Sequence, residues 1–203
     1  MTILSRRSTL GLGLLVLSGL PARGQGAGPV RIRGTIVRLE GAELAVTTRA
    51  DESVIVNLAE NTTVSALRRV ALADLTPGTS VGVVAEPGAD GELRATAITV
   101  LPPGIRITEL QSAWDTAPNA SMNNGAVEAA VDSSAGRDLT LSILGRRVLV
   151  RVPADTPLLM PIPAARTDLV AGATVFINAT RGGDGRISAN RVTVSKDGVV
   201  PVI

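Results

Sequence analysis

Carboxylates are the side chains of this sequence with the most chemistry to offer. Glu40, Glu43 and the adjacent Asp51-Glu52 fall around one expected hairpin end, and Asp90 and Glu92 around another. Such oxygen donors can hold a hard divalent cation, and a pair of them can run acid–base hydrolysis of a glycoside. Neither chemistry fits the pattern. Asp90-Gly91-Glu92 and Asp184-Gly185-Arg186 lack the alternating oxygen ligands of a calcium loop, and one Trp, one Phe and no Tyr leave little to build a sugar cleft. With no His and no Cys, Ser-His and Cys-His dyads, thiolate catalysis, imidazole metal ligation and disulfides are excluded. The sole Lys, Lys196, follows Ser195 directly, not in a Ser-x-x-Lys arrangement, and reads as solvated. No catalytic residue, metal ligand or cofactor is expected.

The elements that would position these groups follow from a duplication. An offset of 94 residues aligns Asp74-Leu75-x-x-Gly78-x-x-Val81 with Asp168-Leu169-x-x-Gly172-x-x-Val175, and Asp90-Gly91-x-x-x-Ala95 with Asp184-Gly185-x-x-x-Ala189. Over 74–100 against 168–194, 11 of 27 positions are identical, which marks two copies of one unit. Within the first copy, short apolar or alternating runs predict strands over 30–39, 43–48, 53–58, 80–85 and 93–100. Asp-Gly at 90–91 and 184–185 supplies hairpin-turn chemistry. The link over 63–79 has helical spacing, but its counterpart contains Pro157, Pro161 and Pro163, so a loop ending in one tight turn is expected in both copies. There Leu75 and Leu169 would plug barrel ends, with Gly78 and Gly172 in a conformation that a side chain resists. In the last strand, Leu93 and Ala95 fall on one parity and Ile98 and Val100 on the other, as do Ile187 and Ala189 against Val192 and Val194. A bulge at 96–97 and at 190–191 would bring all four apolar residues of each copy inside.

The fold expected is all-β: two tandem five-stranded small barrels over 30–101 and 125–203. A Pro/Ser/Asn-rich connector over 102–124 joins them. Its single indole, Trp114, should pack against a domain, which makes Trp114 and Asp115 a candidate interdomain or ligand site.

This layout resembles the oligonucleotide/oligosaccharide-binding (OB) barrel. The duplicated motifs, together with Trp114-Asp115 and Met122-x-Asn124, resemble a bacterial family of exported proteins of unknown function built from tandem OB-like repeats. Some members of that family carry the name metal ABC transporter permease; a permease needs several apolar spans of about 20 residues, and no segment after the leader provides one. The resemblance covers 30–203 and implies no catalytic residues.

Residues 1–24 read as a signal peptide, with Arg6-Arg7, an apolar run over 10–20, and small residues Ala22 and Gly24 before Gln25. Ser5-Arg6-Arg7-Ser8-Thr9-Leu10 resembles a twin-arginine signal, with Thr9 for the usual Phe and Gly11 for the usual Lys, which leaves the Sec route open. A periplasmic or secreted protein without a membrane span after cleavage is expected. Removing Arg6, Arg7 and Arg23 leaves 17 basic against 18 acidic residues, so no nucleic-acid partner is expected from charge. The second- and third-strand positions that stack bases in OB barrels hold Ala45, Thr47, Ile55 and Asn57, and in the second copy Leu141, Leu149 and Arg151, without a ring among them. Two functions remain in view. The first is a non-enzymatic envelope module binding a protein or small ligand; the second is a periplasmic metal-handling or solute-binding accessory protein using carboxylate and backbone oxygens.

Overall fold

The computed structural model describes residues 27–133 and 136–202; the leader expected over 1–24 lies outside the described residues. The fold is all-β. Its strands are β1 (Gly28–Glu40), β2 (Glu43–Thr48), β3 (Ser53–Arg69), β4 (Ser80–Pro87), β5 (Leu93–Val100), β6 (Leu110–Ala113), β7 (Ser121–Ser133), β8 (Gly136–Ile143), β9 (Arg146–Arg151), β10 (Leu158–Pro163), β11 (Thr174–Arg181) and β12 (Ile187–Val194). Among the described residues no helix is long and apolar enough to cross a membrane.

Strand pairing departs from the repeat boundaries. β1 pairs with β2 and β11, β2 with β3, β3 with β12, and β12 with β11, which closes a five-stranded barrel. The further strands run through a second circuit: β4 pairs with β5 and β7, β7 with β8, β8 with β9, and β9 returns to β5. β11 and β12 are the repeat equivalents of β4 and β5, so each circuit takes three strands from one copy and two from the other. The expectation that 30–101 and 125–203 each form a self-contained barrel is corrected accordingly.

The loop expected over 63–79 explains the exchange. Residues 63–69 continue β3, and the matching 158–163 form β10, which runs antiparallel to β3 with Leu67 opposite Pro161. These two residues are each other's repeat equivalents, so a local pseudo-twofold passes between them. Prolines rule out a helix here but not a strand. Val70 N donates to Leu158 O at 3.0 Å and Ala164 N to Val64 O at 3.1 Å, which places Pro161 and Pro163 at the alternate, non-hydrogen-bonded positions facing β3. β3 thus carries the chain out of its own barrel and delivers β4 to the other circuit.

Two apolar clusters follow this division. One gathers Ile32, Ile36, Leu44, Val56, Ile177 and Val192 with Leu169 at its end; the other gathers Val83, Ile98, Val127, Leu139, Leu141 and Val150 with Leu75. Gly78 and Gly172 follow these leucines at φ +87° and +85°. Gly34 and Gly125 occupy matching points where β1 passes from β11 to β2 and β7 from β4 to β8; a Cβ there would overlap the carbonyl oxygens of Thr47 and Ser142. In β5 the register against β4 gains one residue between Ala95 and Ala97, and in β12 the register against β11 gains one between Ser188 and Val192, so Ala95, Ile98 and Val100, like Ala189, Val192 and Val194, all reach the interior. Thr96, the extra residue of β5, donates through Oγ1 to Val84 O at 3.2 Å.

The connector expected over 102–124 is partly sheet. β6 pairs with the first four residues of β7, so Ser121 to Asn124 belong to a strand and not to a linker.

Candidate functional site

The site is built on the outer face of β1. Alternation puts Ile32 inside the barrel and leaves Arg31 and Arg33 outside, where Arg33 faces Phe176 across β11. The Arg33 guanidinium lies 5.1 Å from the Phe176 centroid, and that of Arg31 lies 3.8 Å from the centroid of Trp114. Both large aromatics of the chain therefore carry a guanidinium, an arrangement favoured by the ring quadrupole.

The connector completes this face. After β6, Trp114 N donates to Ala120 O at 2.8 Å and Ala120 N to Ala117 O at 3.1 Å, closing a short loop that contains Asn119 at φ +66°. The loop presents Asp115 to Arg33, whose Nη1 and Nη2 donate to Oδ2 and Oδ1 at 3.0 and 2.8 Å. Arg31 Nη1 stands 3.9 Å from Asp115 Oδ1. The hydrogen bond from Arg33 holds the Asp115 carboxyl below its ordinary pKa, against an opposing effect of partial burial. Trp114 is half-buried, and its Nε1 is shielded from solvent with no acceptor among the described residues. Because β6 is fixed to β7 of the second circuit while Trp114 and Asp115 grip β1 of the barrel, these two residues span the two parts.

Beside this clamp runs a groove of about 500 Å³ lined by Arg31, Arg33, Arg49, Arg181, Glu52 and Asp115, with Val30, Ile32, Val54 and Ile187 as an apolar floor. Arg49 comes from the β2–β3 turn. That turn is pinned: Thr48 Oγ1 accepts from Ala50 N at 3.3 Å and Glu52 N at 3.2 Å, Asp51 sits at φ +58°, and Arg49 N donates to Arg33 O at 3.0 Å. Arg181 ends β11, and its Nε is buried without a partner among the described residues. Four guanidiniums thus face two carboxylates.

The duplicated motifs do other work. Asp74 accepts from Ala71 N at 3.0 Å and Asp168 from Ala165 N at 2.8 Å, each closing the 3-10 turn that sets Leu75 or Leu169 into a core. Asp168 also receives Lys196 Nζ at 3.0 and 3.1 Å, so Lys196, expected to be solvated, is an ion-pair partner. The backbone hydrogen bond from Ala165 and then Lys196 hold Asp168 below its ordinary pKa. Asp90 lies in the 3-10 turn Ala89–Gly91, and Asp184 accepts from Arg186 N at 3.0 Å. Gly91 and Gly185 stand at φ +79° and +81°. All these residues close turns.

The carboxylates expected to gather around one hairpin end are drawn apart. Glu40 and Glu43 face each other at the β1–β2 turn, whereas Asp51 and Glu52 lie at the far end of β2. Glu40 pairs with Arg38 and Glu92 with Arg151. Among the described residues no three acidic, His or Cys side chains converge on one point. The expected outward position of Leu141 is also corrected: Leu141 is fully buried, opposite Val127. The pair Ser142↔Arg147 encloses four residues where its equivalent Thr47↔Ser53 encloses five, so β8 matches β2 at an offset of 95 while β9 matches β3 at 94, and a one-residue slip reverses the faces.

Sequence reasoning singled out Trp114 and Asp115 but not the four arginines, which lie at positions 31, 33, 49 and 181. The one local signal is Arg31-x-Arg33, two residues apart on a strand and hence on one face. Compared with family models, curated proteins and solved structures, the chain matches none.

Proposed function

We propose that this chain is a non-enzymatic, exported protein of the bacterial envelope. In this reading its two OB-like circuits, each built from strands of both copies, act together as a scaffold and binding module. The observation that carries the reading is the clamp: Trp114 and Asp115, on a loop anchored to one circuit, grip Arg31 and Arg33 of the other beside an open groove. Strand exchange through β3 and β10 supports it, because two circuits that each take strands from both copies hold a fixed relative position. A fixed frame is what a binding surface needs to avoid an ordering cost on association.

The test has two parts. In a cell fractionation the mature chain should be recovered from the periplasm or medium with its N-terminus near Gln25; Met1 retained in a membrane fraction would refute export. In a thermal-shift screen of the mature chain against divalent metals, nucleotides, glycans and cell-wall fragments, an organic ligand should raise Tm, as anything that binds the folded state must. A rise given by metals alone and reversed by a chelator would replace this reading with the metal-handling one.

A further inference from the structure

We infer that the arginine groove beside the Trp114–Asp115 clamp binds a small dianion bearing phosphate or carboxylate oxygens, held by Arg49 and Arg181. The inference deepens the binding-module reading above and rests on it.

Charge gives the first argument. Asp115 occupies Arg33 and stands near Arg31, while among the described residues Arg49 and Arg181 have no carboxylate partner. Glu52, the other acidic residue of the groove, makes no ion pair among the described residues. The groove therefore holds two guanidiniums more than it neutralises, on an apolar floor where the local dielectric is below that of water.

Preorganisation gives the second. Arg49 rises from a turn fixed by Thr48 and by its own N–H bond to Arg33 O, so its backbone is set before any ligand arrives. Arg181 Nε is withdrawn from solvent with no acceptor among the described residues, and Nη1 reaches only Gly185 O at 3.5 Å. A guanidinium with one shielded, unpartnered donor and others free at the groove is fitted to take an anion's oxygens.

Asp115 gives the third, as an internal example of the chemistry. Its two oxygens take the Arg33 fork at 3.0 and 2.8 Å, so an oxyanion already docks at this face with two-point geometry. The cluster also lacks a repeat counterpart: β1 meets β11 as β7 meets β4 at an offset of 91, which puts Met122 and Asn124 at the places of Arg31 and Arg33, and the 94-residue offset puts Pro87 at that of Arg181. The arginines are therefore not part of what the barrel needs to fold.

The experiment is calorimetric titration of the mature chain with inorganic phosphate and, separately, with succinate, each against sodium chloride at matched ionic strength. At least one of the two should bind saturably. Phosphate alone would identify a phosphate-bearing ligand, succinate alone a dicarboxylate. Arg49→Ala with Arg181→Ala should weaken binding about tenfold or more, the scale of a lost charge-assisted bond, while Arg146→Ala, on the second circuit, should not. Arg181→Lys keeps the charge without the fork and should fall between. The unliganded Tm of each variant checks that it folds. Binding of neither anion, or binding indifferent to Arg49 and Arg181, overturns the inference. If another class of ligand then stabilises the chain, the binding-module reading stands without it; if nothing does, that reading falls too.

Discussion

The two circuits share a frame and differ at its outer face. β1 and β7 change partners at Gly34 and Gly125, both circuits are capped by a leucine behind an aspartate-closed turn, and both absorb a bulge in the last strand. Outside this frame the likeness stops. Where β1 offers Arg31 and Arg33 to the Trp114 loop, β7 offers Met122 and Asn124 to β6. Where Ile32 fills the barrel, β7 has Asn123, fully buried, donating to Val83 O at 3.3 Å and accepting from Gln111 at 2.9 Å. Duplicated residues answer to the barrel; unduplicated ones answer to the connector and the groove.

Breaking the shared frame should have the largest effect. Gly34→Val and Gly125→Val each drive a side chain into the backbone of the neighbouring strand, at a cost on the order of 4 kcal/mol or more. Urea unfolding should show both variants largely unfolded or far less stable. If one is tolerated, the two crossing points are not equivalent.

The leucine caps sharpen the comparison because they test the exchange itself. Leu75→Ala should cost about 3 kcal/mol, and so should Leu169→Ala. Leu75 belongs to the first copy but packs with β7, β8 and β9, so Leu75→Ala should speed amide hydrogen exchange in those strands more than in β1 and β2. Faster exchange confined to β1–β3 would mean that each copy closes on itself.

Most of the strands were legible because alternation and Gly or Asp turns announce them locally. The bulges were legible as well, since the parity break at Thr96 and at Asn190 stands in the sequence twice. The exchange was not, because Val81, Val83 and Ile98 show the same alternation whether they face strands of their own copy or of the other. What decides is the direction of β3 after Leu58, and that depends on pairing with β10 and β12, partners ninety or more residues away. The groove was hidden for a similar reason: Arg49 and Arg181 meet only once β2 and β11 flank β1.

Breaking the clamp should have an intermediate effect. Asp115→Asn removes the charge from a pair whose Asp115 side chain is 44% exposed, so screening holds the loss to about 1 kcal/mol. The single Trp reports it directly: emission should move to longer wavelength as the loop loosens, with the circuits otherwise folded. Since Asp115 has a depressed pKa in the folded state, its contribution is present above the ordinary carboxylate range and lost as pH falls through the depressed value. The same red shift should therefore appear in the parent protein on acidification. An unmoved spectrum would mean that Trp114 is held by its stacking with Arg31 alone.

The smallest effect belongs to a difference between the two caps. Asp168 and Asp74 close the same turn, but only Asp168 has a lysine, because the residue equivalent to Lys196 is Pro102. Lys196→Met should lower stability slightly, by an amount that shrinks as salt is added, since the pair is accessible to solvent. The sign with pH is fixed by Asp168. Its folded-state pKa is lowered, by the Ala165 hydrogen bond first and Lys196 second, so the pair contributes above the ordinary carboxylate range and vanishes as pH falls through the lowered value. The parent and Lys196→Met should then converge in Tm at acid pH and separate near neutrality. A difference that persists at low pH and in high salt would show that Lys196 acts through its aliphatic stem, and that the caps differ in packing and not in charge.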